Sequence, residues 1–202
     1  MQWVRALQAI SQTGLHYAQD RFDIQRYREI GKIAADMLAQ HSNLATEEIL
    51  QFCAAEFGYT TPKVDVRGVV FRDDKILLVR EIMDNGRWTV PGGWADPNET
   101  PSQAVEREVR EESGFETRVH RLLAVYDREK QGHRPSFPFH VYKLFFLLDL
   151  VGGTATPNEE ASEIGFFAED ELPELSVSRV TAEQIHRFFS LRLQADASTE
   201  FD

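Results

Sequence analysis

The sequence predicts an α+β chain: a layer of three helices over residues 1–60, then a region over residues 61–202 in which strand-length apolar runs alternate with capped helices. Three observations carry this. The first 58 residues place apolar side chains at helical spacing, the runs between residues 64 and 167 are strand-sized, and one helix after Thr100 bears start and stop signals at both ends.

In the helical layer, Trp3, Leu7 and Ile10 share one face, and Thr13-Gly14 is expected to break the first helix. A longer helix from about Asp23 carries Tyr27, Ile30, Ile33, Ala34, Met37 and Leu38. A third from Thr46 carries Ile49, Leu50, Cys53 and Phe57 before Gly58 caps it. A layer this small buries too little surface to be robust alone. It is expected to pack on the rest of the chain, on a second copy, or both, and homodimerisation is the working expectation.

Tyr59-Thr60-Thr61-Pro62 forms a short boundary. Val64 to Phe71 and Ile76 to Val79 then flank Asp73-Asp74 as a β-hairpin. The loop Met83-Asp84-Asn85-Gly86 leads to Pro91-Gly92-Gly93, which takes the backbone through conformations that glycine adopts cheaply. Thr100 is an N-cap, Pro101 fits the first helical position, Gln103 completes a capping box and Gly114 supplies the C-cap, so a helix runs from about Pro101 to Ser113. Val119 to Tyr126 and Phe139 to Leu150 follow as strands, joined by a polar loop, and Gly152-Gly153 is expected to turn the chain. Ile164 to Phe167 is a short strand, Arg179 to Leu193 a final helix, and Ala195 to Asp202 a polar tail.

Composition narrows the function classes. A hydrophobic content of 42% supports a packed core, and a net charge of −11 opposes general affinity for DNA, RNA backbone or anionic membranes. The single cysteine, Cys53, excludes an internal disulfide and suits a reducing compartment. The N-terminus lacks a signal-peptide core and no run reaches membrane-spanning length, so a cytoplasmic location is expected.

The chemistry concentrates in the capped helix. At about 100° per residue, Glu108, Glu111 and Glu112 fall within one arc of about 100°, beside Ala104, Val105 and Val109. Like charges at this spacing destabilise a helix, more so when half-buried. Arg107 and Arg110 can offset them from the flanks, and converging carboxylates suit Mg²⁺ or Mn²⁺. A solvated acidic face is the other reading, and the flanking residues decide between them.

Gly93, Glu99, Arg107, Glu108, Val109, Glu111, Glu112 and Gly114 stand in the spacing G-x5-E-x7-R-E-U-x-E-E-x-G-U, with U a bulky apolar residue. The stretch resembles the Nudix box, and at ordinary residue frequencies a chance match is negligible. Phe115 stands where the family more often has an aliphatic residue. The resemblance implies an α/β/α sandwich with a mixed sheet, and metal ligation by Gly93, through its carbonyl, and by Glu108, Glu111 and Glu112. It also implies a supporting Glu99–Arg107 pair and a base in Glu111 or, outside the box, in Glu160. Arg67, Arg80 and Trp94 are candidates for substrate contact, with His133, Arg134 and His140 of similar standing.

The N-terminal helical layer, Asp65-Val66-Arg67, Leu77-Leu78-Val79-Arg80-Glu81 and Gly92-Gly93-Trp94-Ala95-Asp96 are together similar to a bacterial Nudix subgroup with an N-terminal helical domain. That resemblance implies a dimer and metal-dependent hydrolysis of a nucleoside diphosphate derivative, NDP-X + H₂O → NMP + P-X, with CDP-choline or ADP-ribose as substrate. The alternatives are pyrophosphohydrolysis at an RNA 5′ end, disfavoured by the acidic balance, and a non-catalytic nucleotide sensor, disfavoured by the filled acidic positions.

Overall fold

The computed structural model describes residues 2–41, 44–54, 58–194 and 198–202. They form two compact units, one of residues 1–62 with 135–140 and one of residues 63–134 with 141–202. Phe57, expected on the third helix, lies outside the described residues.

The first unit holds α1 (Gln2–Tyr17), α2 (Arg21–Ala39) and α3 (Thr46–Ala54). Asp20 caps α2 by accepting from the Phe22 and Asp23 amides. Gly14 does not break α1. A Cβ there would lie 2.3 Å from the Tyr27 ring, and one at Gly31 would lie 2.6 Å from the Ser11 hydroxyl. Small residues thus let α1 and α2 approach closely, and the core between the helices is Val4, Ala34, Ala35, Leu38 and Ile49. This rotates the expected faces: Trp3, Ile10, Ile33 and Met37 are exposed.

In the second unit, β1 (Lys63–Arg72) and β2 (Lys75–Glu81) form the expected hairpin, with Asp73 and Asp74 both at positive φ in the turn. β3 (Arg87–Thr89), β4 (Gly92–Trp94), α4 (Pro101–Ser113), β5 (Phe115–Asp127), β6 (Val141–Gly153), β7 (Ala161–Phe167), α5 (Ala182–Arg192) and β8 (Glu200–Phe201) follow. The mixed sheet runs β3-β2-β1-β6-β5-β8, with β4 paired to β1 and β7 to β2. At its centre β1 and β6 are parallel, with Asp65 opposite Lys143.

Alternation along the strands builds two cores. Val66, Val70, Leu77, Phe146 and Leu148 pack under Ala104, Val105 and Val109 of α4. Val69, Ile76, Leu78 and Phe145 pack under Ile185, Phe188, Phe189 and Leu191 of α5. The result is the α/β/α sandwich. Three expectations change. Gly152 and Gly153 do not turn the chain but extend β6 against Glu116 and Phe115. The last helix begins at Ala182, where Thr181 and Gln184 form a capping box. The polar tail ends in β8, tied down where Glu200 accepts from the Tyr126 hydroxyl at 2.8 Å.

His133 is a structural residue. It is buried, its Nδ1 lies 2.9 Å from the Val177 carbonyl and its Nε2 lies 3.2 Å from the Gln184 amide nitrogen. A neutral ring satisfies both partners, donating to the first and accepting from the second. Burial first, and then the Lys143 charge, push its pKa down from 6.5 to about 4.

Gly68 sets the seat of α4, because a Cβ there would come within 2.3 Å of the Val109 side chain. Gly68→Ala is therefore expected to cost about 1–3 kcal/mol, the usual scale of overpacking, in urea denaturation. His133 gives a pH signature: its folded pKa lies below its unfolded one, so its contribution is intact above 6.5 and lost as pH falls through about 4. Thermal melts across that window should show a steeper acid loss in the wild type than in His133→Asn.

Candidate active site

The box helix α4 begins and ends where its caps dictate. Thr100 accepts from the Gln103 amide, the Gln103 side chain accepts from Thr100, and Gly114 takes a left-handed φ of 76°. This fixes the angular position of each acid. Glu112 is buried and accepts a hydrogen bond from the Gly92 amide at 2.8 Å. Burial is the main cause that pushes its pKa up to about 8; the Arg67 charge and the Gly92 bond oppose the rise, while Glu81 and Glu108 add to it. Burial likewise raises Glu108, against the pull of Arg107.

The glycine turn is shaped around these acids. At φ 140° Gly92 lies so close to β1 that a Cβ would sit 2.1 Å from the Val66 carbonyl oxygen. A Cβ on Gly93 would sit 2.9 Å from the Glu108 carboxylate, so the missing side chain lets backbone and carboxylate meet. Arg107 gathers the rest. It bonds Glu99 through Nε at 3.0 Å, Glu108 at 2.8 Å and Glu111 at 3.0 Å. These partners, Glu99 first, hold its pKa above the usual arginine range. Arg110 makes no such bond among the described residues, so the flanking relief comes from Arg107 alone.

Glu160 is exposed, and its amide bonds the Asn158 side chain at 2.8 Å. Asn158 in turn donates to the Glu111 carbonyl at 2.5 Å, which ties this loop to α4. Trp94 is half-exposed on β4. Arg80 is held by the Gly86 carbonyl at 2.8 Å and by Glu163 at 2.5 Å. Arg67, a candidate for substrate contact, is buried and forks onto Asp65 at 2.8 and 2.9 Å. It shares a strand face with Val69, on the α5 side of the sheet. Its charge reaches Glu112 and Glu81 from within the fold rather than from the surface.

Four residues that the sequence reading did not single out for the site surround this arrangement. Lys143 is buried and bonds Asp65 at 2.9 Å. Burial would raise the Asp65 pKa, but Arg67 and Lys143 outweigh it and hold the carboxyl ionised well below its usual range. Lys143 is lowered to about 8, chiefly by burial. Glu81 is buried at the end of β2 and pairs with Arg179 at 3.0 Å. A signal was present: Asp65, Arg67 and Lys143 stand at inward positions of otherwise apolar strands, where an unpaired charge is not tolerated.

The donor chemistry fits a hard divalent cation. Glu108 and Glu112 are carboxylates whose charge burial penalises, and Gly93 brings backbone beside Glu108. Among the described residues no three acidic, histidine or cysteine groups already form a tight cluster, and Glu108 and Glu111 are instead engaged by Arg107.

Comparison with known proteins places this geometry. The NUDIX domain model matches residues 61–188, and a UDP-X-like, N-terminal oligomerisation domain model matches residues 1–52. YjhB of Bacillus subtilis (strain 168), which carries a provisional ADP-ribose pyrophosphatase name, is 41% identical over 196 residues, covering 97% of this chain and 93% of its own. The ADP-ribose pyrophosphatase of Methanocaldococcus jannaschii is 37% identical over 123 residues, covering 58% of this chain and 69% of its own. Among solved structures, a UDP-X diphosphatase is 33% identical with a TM-score of 0.64, covering 100% of this chain and 97% of its own. An ADP-ribose pyrophosphatase from Streptococcus suis is 39% identical with a TM-score of 0.64, covering 70% of this chain and 100% of its own. Among the described residues no helix is long and apolar enough to cross a membrane. The chain belongs to the NUDIX family and is a Nudix pyrophosphohydrolase.

Proposed function

We propose that this enzyme hydrolyses the pyrophosphate bond of a nucleoside diphosphate linked to a second group, releasing a nucleoside monophosphate and the phosphorylated second group, with Mg²⁺ or Mn²⁺. The names of the relatives favour ADP-ribose as substrate, with UDP-linked compounds next; CDP-choline is carried by the resemblance of the sequence to its subgroup. The observation that carries the reading is the buried Glu112 carboxyl, pushed up to about 8 beside Glu108 and the glycine turn. A site that burdens two carboxylates in this way favours a cation.

In this reading Glu108 and Glu112, with the Gly93 carbonyl and Glu111, hold the cation. When bound, it would supply charge neutralisation for the phosphates and polarisation of the attacking water. The Gly92 amide orients Glu112, and Arg107 positions Glu108 and Glu111 while Glu99 anchors its other edge. Glu160, on the loop tied to the end of α4, or Glu111 accepts the proton of the attacking water. Trp94 offers an exposed ring for base stacking, and Arg80, held by the Gly86 carbonyl and an exposed Glu163, is the candidate for a phosphate contact.

The first unit supports assembly as a homodimer. Trp3, Ile10, Ile33 and Met37 are large, apolar and exposed on α1 and α2, and the matching domain type is described as an oligomerisation domain.

A metal-supplemented panel of ADP-ribose, CDP-choline, UDP-sugars and capped RNA, with products resolved by chromatography, should yield a nucleoside monophosphate from one of the first three only when divalent metal is present. Glu112→Gln should lower that turnover by about a hundredfold or more, the scale of losing a preorganised electrostatic group; an unchanged rate would remove the mechanism. Sedimentation of the wild type should give a dimer at micromolar concentration, and the double variant Ile33→Glu, Met37→Glu a monomer.

A further inference from the structure

A polar groove of about 500 Å³ runs between α4 and the start of β5. It falls within the size range of small-molecule sites. At about 100° per residue, its α4 wall of Gln103, Glu106 and Arg110 lies opposite Glu108 and Glu112, so it is distinct from the carboxylate site. Its charges are unevenly used. Glu99 is taken up by Arg107, and Glu106 accepts from the Val119 amide at 2.8 Å. Arg110 and Arg118, both exposed and both lining the groove, have no side-chain partner among the described residues. Thr117 lines it too, and its hydroxyl is buried without a hydrogen bond. A buried hydroxyl left unpaired is costly.

We propose that this groove binds a phosphomonoester of a small polyol, a sugar phosphate. Two arginine forks suit a phosphate dianion. The remaining polar lining, Asn98, Gln103 and Glu116, suits sugar hydroxyls rather than more negative charge. The unpaired Glu116 carboxylate also disfavours a purely anionic ligand such as inorganic phosphate. Glu99 and Arg107 form part of the same wall, and Arg107 also grips Glu108 and Glu111, so the groove shares these two box residues while Glu108 and Glu112 lie on the opposite side of α4.

Titration calorimetry on the full chain in excess chelator tests this independently of the hydrolysis reading, because no turnover is involved. Ribose 5-phosphate should bind saturably. The double variant Arg110→Met, Arg118→Met should weaken it by about tenfold or more, the scale of a lost charge-assisted hydrogen bond, with an unchanged melting temperature. Metal-supported turnover of that variant should match the wild type. The proposal is overturned by undiminished binding in the double variant, by inorganic phosphate or free ribose binding as tightly, or by no heat up to about 5 mM, the weak end of specific affinity.

Discussion

The buried charge at the centre of the sheet is the constraint on which the site depends. Lys143, Asp65 and Arg67 stand on β6 and β1, the parallel pair, with Asp65 opposite Lys143 and forked by Arg67. One acid between two buried bases leaves excess positive charge inside the domain. Breaking such a set by removing one member would leave an uncompensated buried charge, a cost of several kcal/mol. The Arg67 member of the set acts on Glu112, a carboxyl that burial alone would drive towards its neutral form. Sheet register and site electrostatics are therefore the same fact: a one-residue slip between β1 and β6 would turn these charges to the other face and strip Glu112 of its counter-field.

A second constraint is backbone proximity. The turn before α4 runs so close to β1 that Gly92 tolerates no side chain, and its amide is thereby delivered to Glu112. The two strands of this contact, β4 and β1, are also the ones that carry Gly93 and Arg67. The acids come from a helix whose position depends on Gly68 beneath Val109, while their partners come from strands. No single element contains the site, and the core that packs α4 onto the sheet is what holds its halves in register.

What the sequence made legible follows from how local each determinant is. The limits of α4 were readable to the residue because Thr100, Pro101, Gln103 and Gly114 act within one helical turn of themselves. The Asp73-Asp74 hairpin was readable for the same reason. Gly14 misled because its purpose, room for the Tyr27 ring, belongs to another helix. The pairings of Arg67 and His133 were not legible because their partners, Asp65 with Lys143, and Val177 with Gln184, come together only when the sheet and α5 are assembled. Of the box itself, the Arg107 pairing with Glu99 follows from the motif, whereas its simultaneous grip on Glu108 and Glu111 needed the helix in place.

This division bears on how a chain of net charge −11 can act on a polyanion. Arg67, Arg80 and Arg107 are each already engaged by a carboxylate of the chain itself. Arg107 orients the box acids and Arg67 acts on Glu112 from within the fold, rather than presenting free charge to a substrate. Attraction of a pyrophosphate then falls to whatever the acids collect, and a divalent cation is the economical answer, since it reverses the sign of the site without any protein cation being released. In the proposed reading, specificity for the groups on either side of the pyrophosphate would rest on exposed positions such as Trp94, which can vary without disturbing the buried charge set of Asp65, Arg67 and Lys143.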